Sequence, residues 1–200
     1  MNIQNKAVKL FIMSFVIFSL SIFAISSKSE AATSHKLSYG ETYWKIAKGF
    51  GIPINRLMSS NHSKPLYAGD TITLPNSPIS IADKQLLYRL VHAEAVGEPY
   101  AGRVAVATVV LNRVLSSQFP NTVSGVIYQI SGGHYAFSPV ANGQINKPAD
   151  AESKRAVNEA LALMGKSSGS IYFYNPATST SSWILSRPVT VKIGHHVFAK

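Results

Sequence analysis

The chain contains no cysteine, which excludes disulfide bracing, thiol catalysis and cysteine-ligated metals and leaves core packing as the source of stability. Acids are scarce too. Asp and Glu together number nine in 200 residues against 19 Lys and Arg, a net charge of +10, so any carboxylate chemistry must draw on those nine. The positive excess is spread as +2 over residues 1–31, +3 over 32–80 and +5 over 81–200, with no basic stripe carrying interleaved aromatics. A nucleic-acid partner is therefore not expected. Metal spacing is missing as well: His35, His62, His92, His134, His195 and His196 give no His-Glu-x-x-His or comparable zinc pattern. His92 and Glu94, two apart on a helix, point to different faces, and His195 and His196 read as strand surface. No Gly-x-Ser-x-Gly elbow is present for Ser-His-Asp chemistry. Neither a metal nor a cofactor is expected.

At 46% hydrophobic and 14% charged, the composition is that of a globular chain. Lys6 and Lys9, an apolar run from Leu10 to Ile25 and small residues up to Ala31 read as an export signal over residues 1–31, cleaved after Ala31. An uncleaved anchor is the alternative, since the run is somewhat short for a bilayer but not excluded by length. An exported, diffusely basic protein fits an anionic surface such as a bacterial wall. Two prolines and two serines in "PNSPIS" mark a boundary, giving a small module over 35–75, a linker over 76–82 and a larger domain over 83–200. About forty residues without cysteine are marginal as an independent fold. Within the small module, Thr42 is a candidate N-cap for a helix packing Trp44, Ile46, Ala47 and Phe50 and stopped by Gly51. "IPINRLMSSNH" starts a second helix, and "LYAGDTITLP" is a turn into an alternating strand.

The larger domain opens on "LLYRLVHAEAVGEPY", Leu86 to Tyr100. At 100° per residue with Leu86 at zero, Leu90 falls at about 40°, Leu87 at about 100°, Val91 at about 140° and Glu94 at about 80°. The carboxylate thus sits in the middle of the apolar stripe, where an ordinary surface glutamate would not be. Burial raises a carboxyl's pKa, and a glutamate protonated near neutrality is a general acid. The structural alternative is a pairing with Arg89, Arg103 or Arg113, or a head group reaching water at a frayed helix end. Gly97 and Pro99 mark a helix break just beyond. Of the other acids, Asp83 and Asp150 read as N-caps, Glu152 as a first-turn acid and Glu159 as polar-face surface. Glu98 is the one rival, as a second carboxylate, an ion-pair partner or a turn acid. Downstream, "GRVAVATVVLNRV" is apolar all round, with length favouring helix over strand. Residues 131–148 read as a long functional loop, and "SIYFYNP" and "VTVKIGHHVFA" as strands, for an α+β domain.

Two resemblances join these readings. "YGETYWKIAKGFGIPINRLMSSNHSKPLYAGDTITLP" resembles a LysM domain, the βααβ module that binds N-acetylglucosamine-containing glycans. It implies glycan contacts along Gly40, Glu41 and Thr42 and along the stretch containing Asn61, Leu66 and Tyr67. "HAEAVGEPYAGRVAVATVVLNRV", "FPNTVSGVIYQ", "FSPVANGQI", "IYFYNPATSTSSWI" and "IGHHVFA" resemble the cell wall hydrolase family of the spore cortex-lytic enzymes (SleB/CwlJ type). The chain departs from that family's pattern at His92 and Ala93, at His134 and Tyr135, and at Ser138. The family's glutamate maps to Glu94. The resemblance implies a lytic-transglycosylase-like α+β domain that cleaves the β-1,4 bond between N-acetylmuramic acid and N-acetylglucosamine, in a wall- or spore-envelope-associated protein whose partner is the peptidoglycan strand. One convincing carboxylate suits a lytic transglycosylase better than a two-carboxylate glycosidase. A hydrolytic muramidase or glucosaminidase and a non-catalytic wall-binding protein are the alternatives. Glu98, Ser138, Gln144, Tyr174 and Asn175 are the candidates for holding the sugar, with Phe137 and Trp183 as stacking surfaces.

Overall fold

The computed structural model describes residues 33–200. The export signal expected over 1–31 lies outside the described residues. Among the described residues no helix is long and apolar enough to cross a membrane. The N-terminal module pairs β1 (Thr33–Lys36) antiparallel with β2 (Thr71–Leu74), Thr33 opposite Leu74, with α1 (Tyr43–Phe50) and α2 (Ile54–Ser60) between them. The order is βααβ. The side chain of Thr42 caps α1 by accepting from Lys45 N, and Gly51, at φ 66°, ends it with an N–H to Ala47 O. Leu37, Ile46, Ala47, Ile52, Leu57, Ile72 and Leu74 form the core. Phe50, expected among the packed residues, is instead exposed at the helix end with its ring edge-on to His35.

Asn61 corrects the expectation of a glycan contact, whereas Thr42 is exposed beside the turn. The Asn61 amide is buried, donates to Leu57 O at 2.9 Å and Thr73 O at 2.8 Å, and accepts from Thr73 N at 2.9 Å. The two bonds to Thr73 tie the end of α2 to β2, and the bond to Leu57 closes the last turn of α2. Thr42 is engaged in the α1 cap.

The second part begins with α3 (Ile81–Glu94), capped by Ser80, whose Oγ accepts from Asp83 N. Asp83 is therefore not the cap; its carboxylate accepts from Ser124 N at 3.0 Å and fixes the start of α5 (Val123–Ile127). The all-round apolar segment is a helix, α4 (Tyr100–Leu115), with Val106, Ala107, Val109, Val110 and Leu111 fully enclosed. A β3–β4 hairpin (Ile130–Ser131 with His134–Tyr135), a short α6 (Ser138–Ala141) and a 3-10 turn at Gln144–Asn146 occupy the stretch expected to be a loop. Then follow α7 (Ala151–Ala162), capped by Asp150 as expected, β5 (Tyr172–Tyr174), α8 (Ser182–Leu185), β6 (Val189–Ile193) and β7 (His196–Ala199). The last sheet is antiparallel in the order β5-β7-β6. Its inner face, through Phe198 and Phe173, closes the core that α3, α4, α5 and α7 build. The expected α+β class is what the structure has.

Glu98 holds this sheet to the helices. It is 8% exposed, accepts from His195 N at 3.1 Å and meets His195 Nδ1 at 3.1 Å. Gly194, at φ 58°, leaves the space that the carboxylate fills, since a Cβ there would collide with it. The rival acid is thus a clamp on the β6–β7 turn.

The two parts share a packed seam between α1 and α7. Ala162 of α7 is fully buried within the core cluster of the small module. Lys84 Nζ donates to Phe50 O at 2.9 Å and Asn158 Nδ2 to Gly49 O at 3.2 Å. Tyr88 OH in turn donates to Asn158 Oδ1 at 2.9 Å, fixing which way the amide faces. A module marginal on its own gains a wall from its neighbour. A Cβ at Gly51 would come within 2.7 Å of both Asn158 Oδ1 and Lys84 Nζ, on a backbone that L-residues avoid. Gly51→Ala is accordingly expected to destabilise the chain by about 1–3 kcal/mol, measured by urea unfolding.

Candidate active site

Helix α3 delivers Glu94 as its last residue, with the apolar side chains Leu86, Leu87, Leu90 and Val91 buried behind it. Ala95 ends the helix and Gly97, at φ 83°, turns the chain away towards α4, leaving the carboxyl at the mouth of a cleft. That cleft measures about 340 Å³. Its walls come from four separate places: Arg113 on α4, Ala136 to Ser138 before and at the start of α6, Phe173 to Asn175 with Thr178 around the end of β5, and His196 on β7. Glu94 is its only carboxylate among the described residues.

Burial pushes the Glu94 carboxyl up to about 7, and no other group contributes to the shift. None of Arg89, Arg103 or Arg113 neutralises it. Arg89 donates to Ile145 O, Arg103 binds Asp150 and Ser153, and Arg113 donates to Ile171 O at 2.7 Å. The Arg113 guanidinium is stacked 5.0 Å from the Phe119 ring centroid, 5.2 Å from Phe137 and 5.6 Å from Tyr172. Burial lowers its pKa to about 10, which still leaves it cationic at neutral pH. Asp150 is kept out of the site's chemistry: burial would raise its carboxyl, but the Ser153 hydrogen bonds and Arg103 outweigh that and hold it far below the usual range.

The expected sugar-contacting residues divide in two. Phe137, Ser138, Tyr174 and Asn175 line the cleft with Glu94. Phe137, 3% exposed, is a wall with little face left for stacking. Asn175 Oδ1 accepts from Ala177 N at 2.9 Å and its carbonyl accepts from Ser179 N, which shapes the 175–179 turn and leaves Nδ2 without a partner among the described residues. Glu98, Gln144 and Trp183 do not line it. Gln144 is exposed on the 3-10 turn, and Trp183 packs edge-on to Tyr172 at 5.1 Å with Arg187 5.2 Å from its ring.

His196, Thr178, Phe173 and Arg113 are cleft residues that sequence reading did not find. His196, expected on a strand surface, lies 5.2 Å from the Phe173 ring, and its Nδ1 is buried without a hydrogen-bond partner. Burial lowers its pKa against the opposing pull of Glu98, and so favours the uncharged ring. Tyr174, Asn175 and His196 are shared with an adjoining hollow of about 350 Å³ that continues past Lys192 and His195. In the small module, Gly40, Glu41, Leu66 and Tyr67 line a separate groove of about 390 Å³. Tyr39, which sequence reading passed over, joins them at 97% exposure. Glu41 is held by Ser38 N and His35, both at 2.8 Å, and those bonds lower its pKa.

With this geometry in hand, comparison with known proteins is direct. A family described as Cell Wall Hydrolase matches residues 97–199, beginning three residues after Glu94, and the LysM domain matches residues 35–75. The spore cortex-lytic enzyme of Bacillus cereus is 48% identical over 173 residues, 85% of this chain and 64% of that protein. That of Bacillus subtilis is 43% identical over 118 residues, 59% of this chain and 37% of that protein. The chain therefore spans less than two thirds of the length of these curated relatives. Among solved structures, the catalytic domain of the germination-specific lytic transglycosylase SleB from Bacillus anthracis is 45% identical with a TM-score of 0.57, covering 62% of this chain and 99% of that one. The Bacillus cereus SleB catalytic domain gives 46% and 0.56, over 62% of this chain and 94% of that one. Matched over more than half its length, the chain belongs to the cell wall hydrolase family and carries a LysM domain ahead of the hydrolase domain.

Proposed function

We propose that the chain is an exported peptidoglycan lytic transglycosylase, associated with the cell wall or spore envelope, in which Glu94 alone serves as acid and base. The observation that carries this reading is a single carboxyl in the cleft, protonated to near neutrality by burial and free of any ion pair among the described residues. Glu94 donates its proton to the glycosidic oxygen as the C1–O bond of the muramic residue breaks. The 6-hydroxyl of the same residue then closes on C1 and returns its proton to Glu94, leaving a 1,6-anhydro end. Neither water nor a second carboxylate takes part, whereas inverting and ordinary retaining glycosidases require two. Tyr174, Asn175 Nδ2, Ser138 and His196 are the polar groups available to orient the sugars. The similarity to the SleB lytic transglycosylase domain supports the same assignment. The LysM groove, with Tyr39 and Tyr67 exposed on its rim, is the site for glycan retention.

Glu94→Gln keeps the shape and removes the proton. It is expected to lower muropeptide release by at least about 10²–10⁴-fold while wall binding persists. Release by the wild type should give products about one water lighter than reducing ends, by mass spectrometry; products of full mass would favour a hydrolytic muramidase. An unchanged low release in both proteins would favour a non-catalytic wall binder. Side-by-side digestion of cortex and vegetative wall identifies the substrate.

Activity should decline as pH rises through about 7, because the acid form is lost. Stability follows the same proton. A carboxyl raised from 4.5 to about 7 stabilises the fold fully below the lower value, and that contribution disappears as pH climbs through the window between them. Above neutrality Glu94→Gln should therefore be more stable than wild type by roughly 2–3 kcal/mol, the difference closing near pH 4 in urea titrations. Glu98→Gln, by contrast, removes no proton donor from the cleft and should cost far less turnover than Glu94→Gln, acting through the position of His196, while melting a few degrees lower because the clamp on His195 is weakened.

A further inference from the structure

A second cavity, larger than the Glu94 cleft at about 500 Å³, opens along the seam between the two parts of the chain. The small module contributes Lys45 and Lys48 from α1 to its lining, and the hydrolase domain contributes Tyr100 from α4 with Glu152, Arg155 and Asn158 from α7. The cavity exists only because α1 is seated against α7. Neither the proposed cleavage nor the glycan groove uses it.

Its charges do not cancel. Glu152 is met by Arg103 Nη2 at 3.5 Å, and Glu159, just behind the lining, accepts from Tyr100 OH at 2.8 Å and lies 3.8 Å from Lys48 Nζ. Glu152 shares Arg103 with Asp150, and Glu159 is paired with Lys48. Two cations from the two sides make no close ion pair: no carboxylate lies within 4.0 Å of Lys45 or Arg155 among the described residues, and Lys45 feels Glu41 only at longer range. Glu41, the acid nearest Lys45 in sequence, is engaged by His35 and Ser38. The Arg155 guanidinium lies 5.6 Å from the Tyr100 ring centroid and makes no hydrogen bond among the described residues, so its donors are available.

The geometry points to an oxoanion site in this seam, in which Arg155 and Lys45 clamp a carboxylate or phosphate from opposite walls. Lys45 also indicates the source. Its ammonium donates to Gly40 O at 2.7 Å, and Gly40 lines the glycan groove of the small module, so the two sites adjoin at this residue. A muramic strand held in that groove carries peptide stems ending in carboxylates, which would reach the seam; a phosphate-bearing wall polymer would offer the same chemistry. This inference rests on the peptidoglycan reading of the groove. It does not depend on catalysis.

The test uses the full chain with Glu94→Gln, titrated by fluorescence anisotropy with three labelled probes: a stem-bearing muropeptide chain, an N-acetylglucosamine oligomer and a poly(glycerol phosphate). Adding Arg155→Gln should weaken the stem-bearing probe roughly tenfold, leave the N-acetylglucosamine oligomer unchanged, and remove most of the salt dependence of the first. Arg155→Lys should recover part of the loss, and Lys45→Gln should reproduce it. A loss confined to the phosphate polymer also supports the anion site and assigns polymer phosphate as its occupant. Equal affinities of Arg155→Gln and its parent for both anionic probes would overturn the site, and so would a parallel loss on the uncharged oligomer. Recovered probe is weighed after binding: shortening would report failure of the Glu94 assignment, separately from any result at the seam.

Discussion

Everything in the hydrolase domain is arranged around one unfavourable placement, a carboxyl group at the end of an apolar helix face with no cation to neutralise it. Such a group resists ionisation, because the charged form would forfeit its hydration without compensation. Three arginines that could relieve the strain are occupied elsewhere, by Ile145 O, by Asp150 and by Ile171 O. The burial of Arg113 between Phe119, Phe137 and Tyr172 is the clearest case: a permanent cation lines the same cleft and is nonetheless kept out of ion-pair range of Glu94. Stability that an ion pair would have contributed is given up, as is common where a protonated carboxylic acid is needed.

The second acid of the motif has the opposite fate. Glu98 is more buried than Glu94 but has partners close by: its carboxylate accepts from His195 N and meets the His195 ring nitrogen. Four residues separate two glutamates that a sequence pattern treats alike. What distinguishes them is the supply of hydrogen-bond donors, which comes from a turn nearly a hundred residues downstream. By holding that turn, Glu98 also fixes the start of β7 and with it His196 on the cleft wall.

These contrasts explain how much could be read from the chain itself. The position of Glu94 was legible because it depends on a local period: four neighbouring apolar residues within two turns define the face it occupies. The helices of the small module were legible through Gly51 and the apolar spacing around Ile46 and Ala47, and the mixed helix-and-strand class through the change from helical to alternating patterns. The far walls of the cleft were not, because Thr178, Phe173 and His196 arrive through the tertiary path of the last sheet, which no local period encodes. The structural partners of Asn61 and Trp183 were hidden for a related reason. A polar or aromatic residue in a motif invites a sugar as partner, yet Asn61 already had the Thr73 backbone and Trp183 already had Tyr172 and Arg187. Tyr39, almost wholly exposed beside the groove of the small module, carries no pattern at all beyond being aromatic in a turn.

The seam between α1 and α7 is joined in an unusual currency. Lys84 and Asn158 reach main-chain carbonyls of Phe50 and Gly49 rather than side chains. Main-chain acceptors are present whatever residue occupies positions 49 and 50, so the side chains there can change while the joint keeps its donors, whereas Gly51 is fixed by its close approach to the same two groups. The joint is therefore a demand on backbone path more than on side-chain identity, concentrated at the single helix-ending position where a side chain has no room.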